Sequence, residues 1–128
     1  MSNKTVSKIE LEQFTGTESY HCHSNRINTY TDGVAYLAEA AECYWLLDVV
    51  MSYQISQHIR QVPFQLWTLK YRPTKSEPYR AIVTMQEDSG EPCLVTQAIP
   101  FTDFPFNELG SEIKLYLIDG ILMLPSEY

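Results

Sequence analysis

The chain has 128 residues, 45% of them apolar or aromatic and 20% charged, enough to bury one domain core and incompatible with a solvating, disordered tail. Sixteen acidic against nine basic residues give a formal charge of −7, which disfavours phosphate-driven nucleic-acid binding and attraction to an anionic membrane as the main activity. Glu39, Glu42 and Asp48 interrupt the longest apolar stretch, so no run approaches the ~18 apolar residues of a membrane span.

Residues 1–8 contain neither an apolar signal region nor a small-residue cleavage site, and the expected location is the cytoplasm. Ser7 followed by Glu10 makes a capping box ahead of Ile9, Leu11 and Phe14, predicting a short helix that Gly16 ends. Residues 20–24 have the character of a short strand. Residues 25–30 read as a loop leading to Thr31 and Asp32, the N-cap of the main helix.

That helix is predicted over residues 33–52, with continuation toward Arg60, because the segment lacks proline and is rich in Ala, Leu and Glu. At roughly 100° per residue, Val34, Leu37, Ala41, Tyr44, Trp45, Leu47 and Met51 share one arc, with Glu39 and Glu42 opposite in solvent. Asp48 falls in the middle of the apolar arc, where a carboxylate loses hydration and needs a partner.

After Pro63 the period becomes alternating. Trp67, Leu69 and Tyr71 point one way, Thr68, Lys70 and Arg72 the other, as in a half-buried strand. Residues 73–78 form a turn, 79–85 a second strand, 88–90 another turn and 93–99 a third strand. Ile113, Leu115 and Leu117 alternate with Glu112, Lys114 and Tyr116, and Asp119-Gly120 is a strong hairpin signal leading into residues 121–124. The expected fold is a single α+β domain over residues 1–128, with one long helix packed on an antiparallel sheet of four to five strands. Leu37, Trp45, Leu47, Trp67, Leu69, Val83, Val95, Leu115 and Leu117 are its expected core.

Charge is segregated along the chain. Arg60, Lys70, Arg72, Lys75 and Arg80 face only Glu77 within residues 60–80, whereas residues 81–128 carry eight acids against Lys114. The pattern fits either solvated sheet faces whose opposite charges meet on neighbouring strands, or an acidic recognition surface.

Three groups of residues could carry chemistry. His21 and His23, two apart on a strand, would face the same way as a metal site requires, with Asp48, Cys43, Cys93 or His58 needed to complete it. Asp48 could alternatively be a general base in a pocket, or a structural acceptor holding helix to sheet. Phe101, Phe104 and Phe106, with two prolines, form an irregular aromatic loop flanked by Asp103 and Glu108; it suits a protein partner if exposed and caps the core if folded down. Catalytic serine motifs, phosphate-binding glycine loops and paired short cysteine spacings are lacking, and Cys22, Cys43 and Cys93 are expected as reduced thiols packed like small hydrophobes.

The segments Tyr30-Thr-Asp-Gly-Val-Ala-Tyr-Leu-Ala-Glu39, Tyr44-Trp-Leu-Leu-Asp48 and Leu124-Pro-Ser-Glu-Tyr128 resemble those of a family of small, uncharacterised bacterial proteins also met in phages and mobile elements. That resemblance implies a cytoplasmic single-domain protein with no assigned chemistry. The functional expectation is a non-catalytic, acidic protein-binding module without a cofactor, direct nucleic-acid contact or membrane contact. Its sharper form is a mobile-element inhibitor of a basic host nucleic-acid-binding protein, with Glu87, Asp88, Glu91, Asp103, Glu108 and Glu112 as the charges and Phe101, Phe104 and Phe106 as anchors. A metal-dependent enzyme using His21, His23 and Asp48 is the alternative. The high aromatic content makes a homodimer a further expectation.

Overall fold

The structure, a computed structural model, describes residues 7–25 and 28–128. In chain order its elements are α1 (Lys8–Glu12), β1 (Tyr20–Cys22), β2 (Thr29–Thr31), α2 (Asp32–Ala40), α3 (Tyr44–Tyr53), α4 (Gln57–Arg60), β3 (Phe64–Tyr71), β4 (Ala81–Gln86), β5 (Cys93–Ile99), α5 (Phe106–Leu109), β6 (Glu112–Ile118) and β7 (Ile121–Met123), followed by a 3₁₀ turn at Pro125–Glu127. The strands form one sheet in the order β1-β2-β7-β6-β3-β4-β5. All pairs are antiparallel except β2 with β7, which run parallel.

The α+β class is as expected, but the sheet has seven strands rather than four to five. The additional pairing comes from β1 and β2, only three residues each, with β2 lying where a loop was expected. Such short strands have little pattern of their own and exist because β7 offers Thr29 and Tyr30 a partner. The Asp119-Gly120 expectation holds: Asp119 and Gly120 both take positive φ, 51° and 81°, the type I′ pattern that closes Ile118 onto Ile121.

The single long helix is the main correction. It is split into α2 and α3, and the longer has ten residues. Glu42 adopts φ 54°; the Glu42 N–H donates to the Glu39 carbonyl and the Cys43 N–H to the Ala38 carbonyl at 2.9 Å. Those two bonds form a Schellman stop, completed by apolar contact positions at buried Ala38 and Cys43. A glycine usually occupies the left-handed position; Glu42 does so here, and no breaker marks the site in the sequence. Continuation toward Arg60 is likewise broken, with α4 a separate turn beginning after Ser56.

Because α3 starts afresh, its phase differs from that of an unbroken helix. Leu46, Leu47, Val50 and Met51 turn inward. Asp48, expected on the buried arc, is exposed, with 69% of its side chain accessible. Trp45 packs against the core without being buried in it. The other expected core residues, Leu37, Leu47, Trp67, Leu69, Val83, Val95, Leu115 and Leu117, are buried. Of the cysteines only Cys43 is packed as a small hydrophobe; Cys22 and Cys93 are exposed free thiols, as end positions of β1 and β5 whose neighbours give them no cover.

Two polar clusters tie helices to sheet. Gln54 at the end of α3 and Gln65 on β3 exchange amide hydrogen bonds of 2.9 and 3.0 Å, both side chains being buried. At the other end of the chain, Glu127 accepts from the Gly33 N–H at the start of α2 (3.2 Å), from the Thr31 hydroxyl (2.6 Å) and from the Leu124 N–H (3.0 Å). A carboxylate is favoured there because the first N–H groups of a helix have no internal acceptor.

Candidate partner-binding cleft

Residues 100–110 leave the end of β5 and return to β6, and their path is dictated by a few polar contacts. The Thr102 N–H donates to the Tyr79 carbonyl at 3.0 Å, and the Thr102 hydroxyl accepts the Phe104 N–H at 3.1 Å. Phe104 and Leu109 are thereby turned down into the core. Phe106 is half-buried between Phe104 and Tyr71, at ring separations of 4.9 and 5.2 Å. Tyr71 in turn is held by its hydroxyl, which donates to the Pro78 carbonyl at 2.7 Å.

Both sequence readings of this loop are therefore realised, on different residues. Phe104 caps the core, whereas Phe101 is 68% exposed and meets Tyr79, itself 58% exposed, edge to face at 5.5 Å. Together they border an open cleft of about 610 Å³, floored by Tyr71, Phe104 and Phe106 and rimmed by Asp103 and Glu108. Aromatic faces beside carboxylates attract a cationic side chain, through the ring quadrupole and through direct charge.

The six acids expected to act together are divided. Asp103 and Glu108 rim the cleft, and Glu112 begins β6 at the same end of the sheet, 3.9 Å from Lys70. Glu87, Asp88 and Glu91 occupy the turn between β4 and β5 at the opposite end, separated by the length of β4, about 17 Å from its strand rise. The Lys70–Glu112 and Arg80–Glu77 pairs, both at 3.9 Å, show opposite charges meeting across the basic segment, as on a solvated face.

The two histidines go to different carboxylates. His21 Nε2 is 2.9 Å from Asp32 Oδ1, and its ring stacks on Tyr30, its cross-strand neighbour. The Asn25 N–H donates to His23 Nδ1 at 3.1 Å, so Nε2 carries the proton and donates to Asp48 Oδ1 at 2.8 Å. Cys43 is buried with its thiol on the Leu37 carbonyl, while Cys93 and His58 lie elsewhere on the surface. Among the described residues, no three His, Cys, Asp or Glu side chains converge as a metal-binding group.

Two contributors escape a reading of the sequence. Asp32, expected only beside a helix cap, accepts from the Ser19 hydroxyl (2.7 Å), from His21, and from the Glu18 and Ser19 N–H groups. These donors, Ser19 foremost and then His21, hold its carboxyl far below the usual carboxylate range. The sequence pattern places Tyr79 only at the start of a strand. Its place opposite Phe101 follows from the Ala81–Ile99 pairing extended by two residues, a signal available only once the hairpin register is known.

The three motif segments meet in space. Glu127 joins residues 124–128 to the start of α2, and the Tyr44 hydroxyl at the start of α3 donates to Glu39 of α2 at 3.2 Å. No helix among the described residues is long and apolar enough to cross a membrane. No curated protein and no solved structure matches the chain. It belongs to DUF6876, a family of unknown function, whose match covers residues 5–128.

Proposed function

We propose that this chain is a non-catalytic protein-binding domain whose cleft beside Phe101 takes a basic segment of a partner. The observation that carries the reading is the exposed Tyr79–Phe101 pair standing over an aromatic floor with Asp103 and Glu108 at its rim. Exposed aromatics at such a rim are poorly explained by folding alone, since Phe104 and Leu109 already anchor the loop. A lysine or arginine laid across them gains both desolvated contact area and charge pairing.

Separation of Glu87, Asp88 and Glu91 from the cleft narrows the reading to a local, peptide-type contact rather than one continuous acidic surface. In its sharper form the partner is a basic host protein that binds nucleic acid, and the domain serves a mobile element as its inhibitor. The acidic balance of −7 and the carboxylates at the rim support that form.

Affinity capture from host lysate by the native chain and by a Tyr79→Ser/Phe101→Ser variant tests the cleft. A basic protein retained by the native chain, released by added salt and missed by the variant is the expected result. Equal capture by both proteins would remove the cleft from consideration.

A further inference from the structure

The sheet ends on β5, and that edge is unlike the other. β1 has only three residues, short enough to offer little template. β5 has seven, Cys93-Leu-Val-Thr-Gln-Ala-Ile99, with no charged residue among them. Leu94 is 40% exposed, and Thr96 and Ala98 are exposed too. Proteins blunt long edges with lysines, prolines or bulges; here Pro92 and Pro100 stand just outside the strand, and the register shift lies at its start, opposite Met85 and Gln86.

The ladder specifies which backbone groups are open. The Arg72 N–H bonds to the Arg80 carbonyl, so β4 turns residues 82 and 84 toward β3 and residues 81, 83 and 85 toward β5. Their partners Ile99, Gln97 and Val95 use their N–H and C=O groups on β4. Thr96 and Ala98 therefore point theirs outward, along the free edge.

We infer that β5 pairs antiparallel with β5 of a second copy, extending the sheet across a two-fold axis. Full overlap of two seven-residue strands places the axis at the central residue, Thr96, whose outward N–H and C=O then bond to those of its own counterpart. Local charge does not oppose the approach, although the chain carries −7 overall. Antiparallel pairing also keeps the Glu87, Asp88 and Glu91 turns of the two copies at opposite ends of the joined strands, so these like charges do not meet, as they would in a parallel pairing.

Light scattering on the full chain across a concentration series, with Thr96→Lys and Thr96→Glu variants, tests this. Twice the 14.8 kDa chain mass is expected for the native protein at high concentration. Either variant, with circular dichroism unchanged, should weaken self-association by about tenfold or more, because like charges meet at the axis. Mixing the two should restore the dimer. Thr96→Pro, which removes an outward donor without touching the β4 ladder, should act like either charge variant. A native chain that stays at 14.8 kDa, a dimer indifferent to all three changes, or folded Lys and Glu variants that fail to pair on mixing would each overturn the inference. None of these changes touches Tyr79, Phe101 or the rest of the cleft, so the outcome is separable from that of partner capture.

Discussion

Gln54 and Gln65 hold each other by two amide hydrogen bonds in the interior, and the arrangement is not symmetric. Gln65 Nε2 also donates to the Ile59 and Val62 carbonyls, and its Oε1 accepts the Trp67 indole N–H at 2.9 Å. Gln54 has one further bond, to the Val50 carbonyl. Gln65 is thus the acceptor for an indole that has been packed under α3, as well as a brace for the α4 turn.

Replacing Gln65 should therefore cost more than replacing Gln54. Gln65→Leu leaves the Trp67 N–H and the Gln54 amide without their partner, and about 3 kcal/mol of destabilisation is expected; Gln54→Leu leaves Gln65 its remaining partners and should cost nearer ~1 kcal/mol. Urea denaturation of both variants measures the order. Equal costs would mean that the network does not depend on Gln65.

Glu42 occupies a backbone region that an L side chain enters at a penalty of about 1 kcal/mol. Glu42→Gly should stabilise the protein by up to that amount, although glycine in a helix interior usually destabilises. A β-branched residue such as valine should do the reverse. Thermal denaturation separates these outcomes, and a less stable glycine variant would show that the Glu42 side chain contributes more than its strain.

Gly33 has no room for a side chain. A Cβ there would stand 2.5 Å from Glu127 Oε1 and 2.7 Å from Leu124 Cδ1, so Gly33→Ala must push the carboxylate off the start of α2. Glu127→Ala removes the same charge-assisted bonds, and each change is expected to cost about 2–3 kcal/mol. Since both delete one interaction, the double variant should fall well short of their sum. Additive losses would show that the glycine serves some other contact.

Acid should loosen the β1–α2 junction only well below the ordinary carboxylate range, later than contacts made by carboxyls of usual acidity. Asp32 is held ionised by Ser19, His21 and two backbone N–H groups, with its carboxyl far below the ordinary 3.8. A folded-state value below the unfolded one means that this stabilisation is complete above about 3.8 and declines as pH falls toward the folded value. Asp32→Asn, with its carboxyl gone, should lose stability at neutral pH and respond less to acid. Hydrogen exchange at Glu18 and Ser19, followed while lowering pH, reads the event directly; protection that persists unchanged would count against it.

Much of the sheet was legible because alternation over six to eight residues is a local property: Trp67, Leu69, Val83, Leu115 and Leu117 announce an inward face whatever their partners are. Asp119-Gly120 likewise encodes its own turn, since both positions need positive φ. The class, the central strands and the terminal hairpin could therefore be read from residue order alone.

Other features depended on contacts between distant segments. β2 is too short to signal itself and takes strand form between β1 and β7, while β1, legible as a short strand, gains its place in the sheet only through β2. The helix breaks at Glu42 without glycine or proline, because burying Ala38 and Cys43 offsets a left-handed residue, and that break turned Asp48 from the expected core to the surface. In the cleft, Phe101, Phe104 and Phe106 are equal in the sequence; register beside Tyr79 exposes the first, and the Thr102 contacts bury the second. Local periodicity records which residues avoid water, but which of them succeed is decided by the surface that folding leaves available to each.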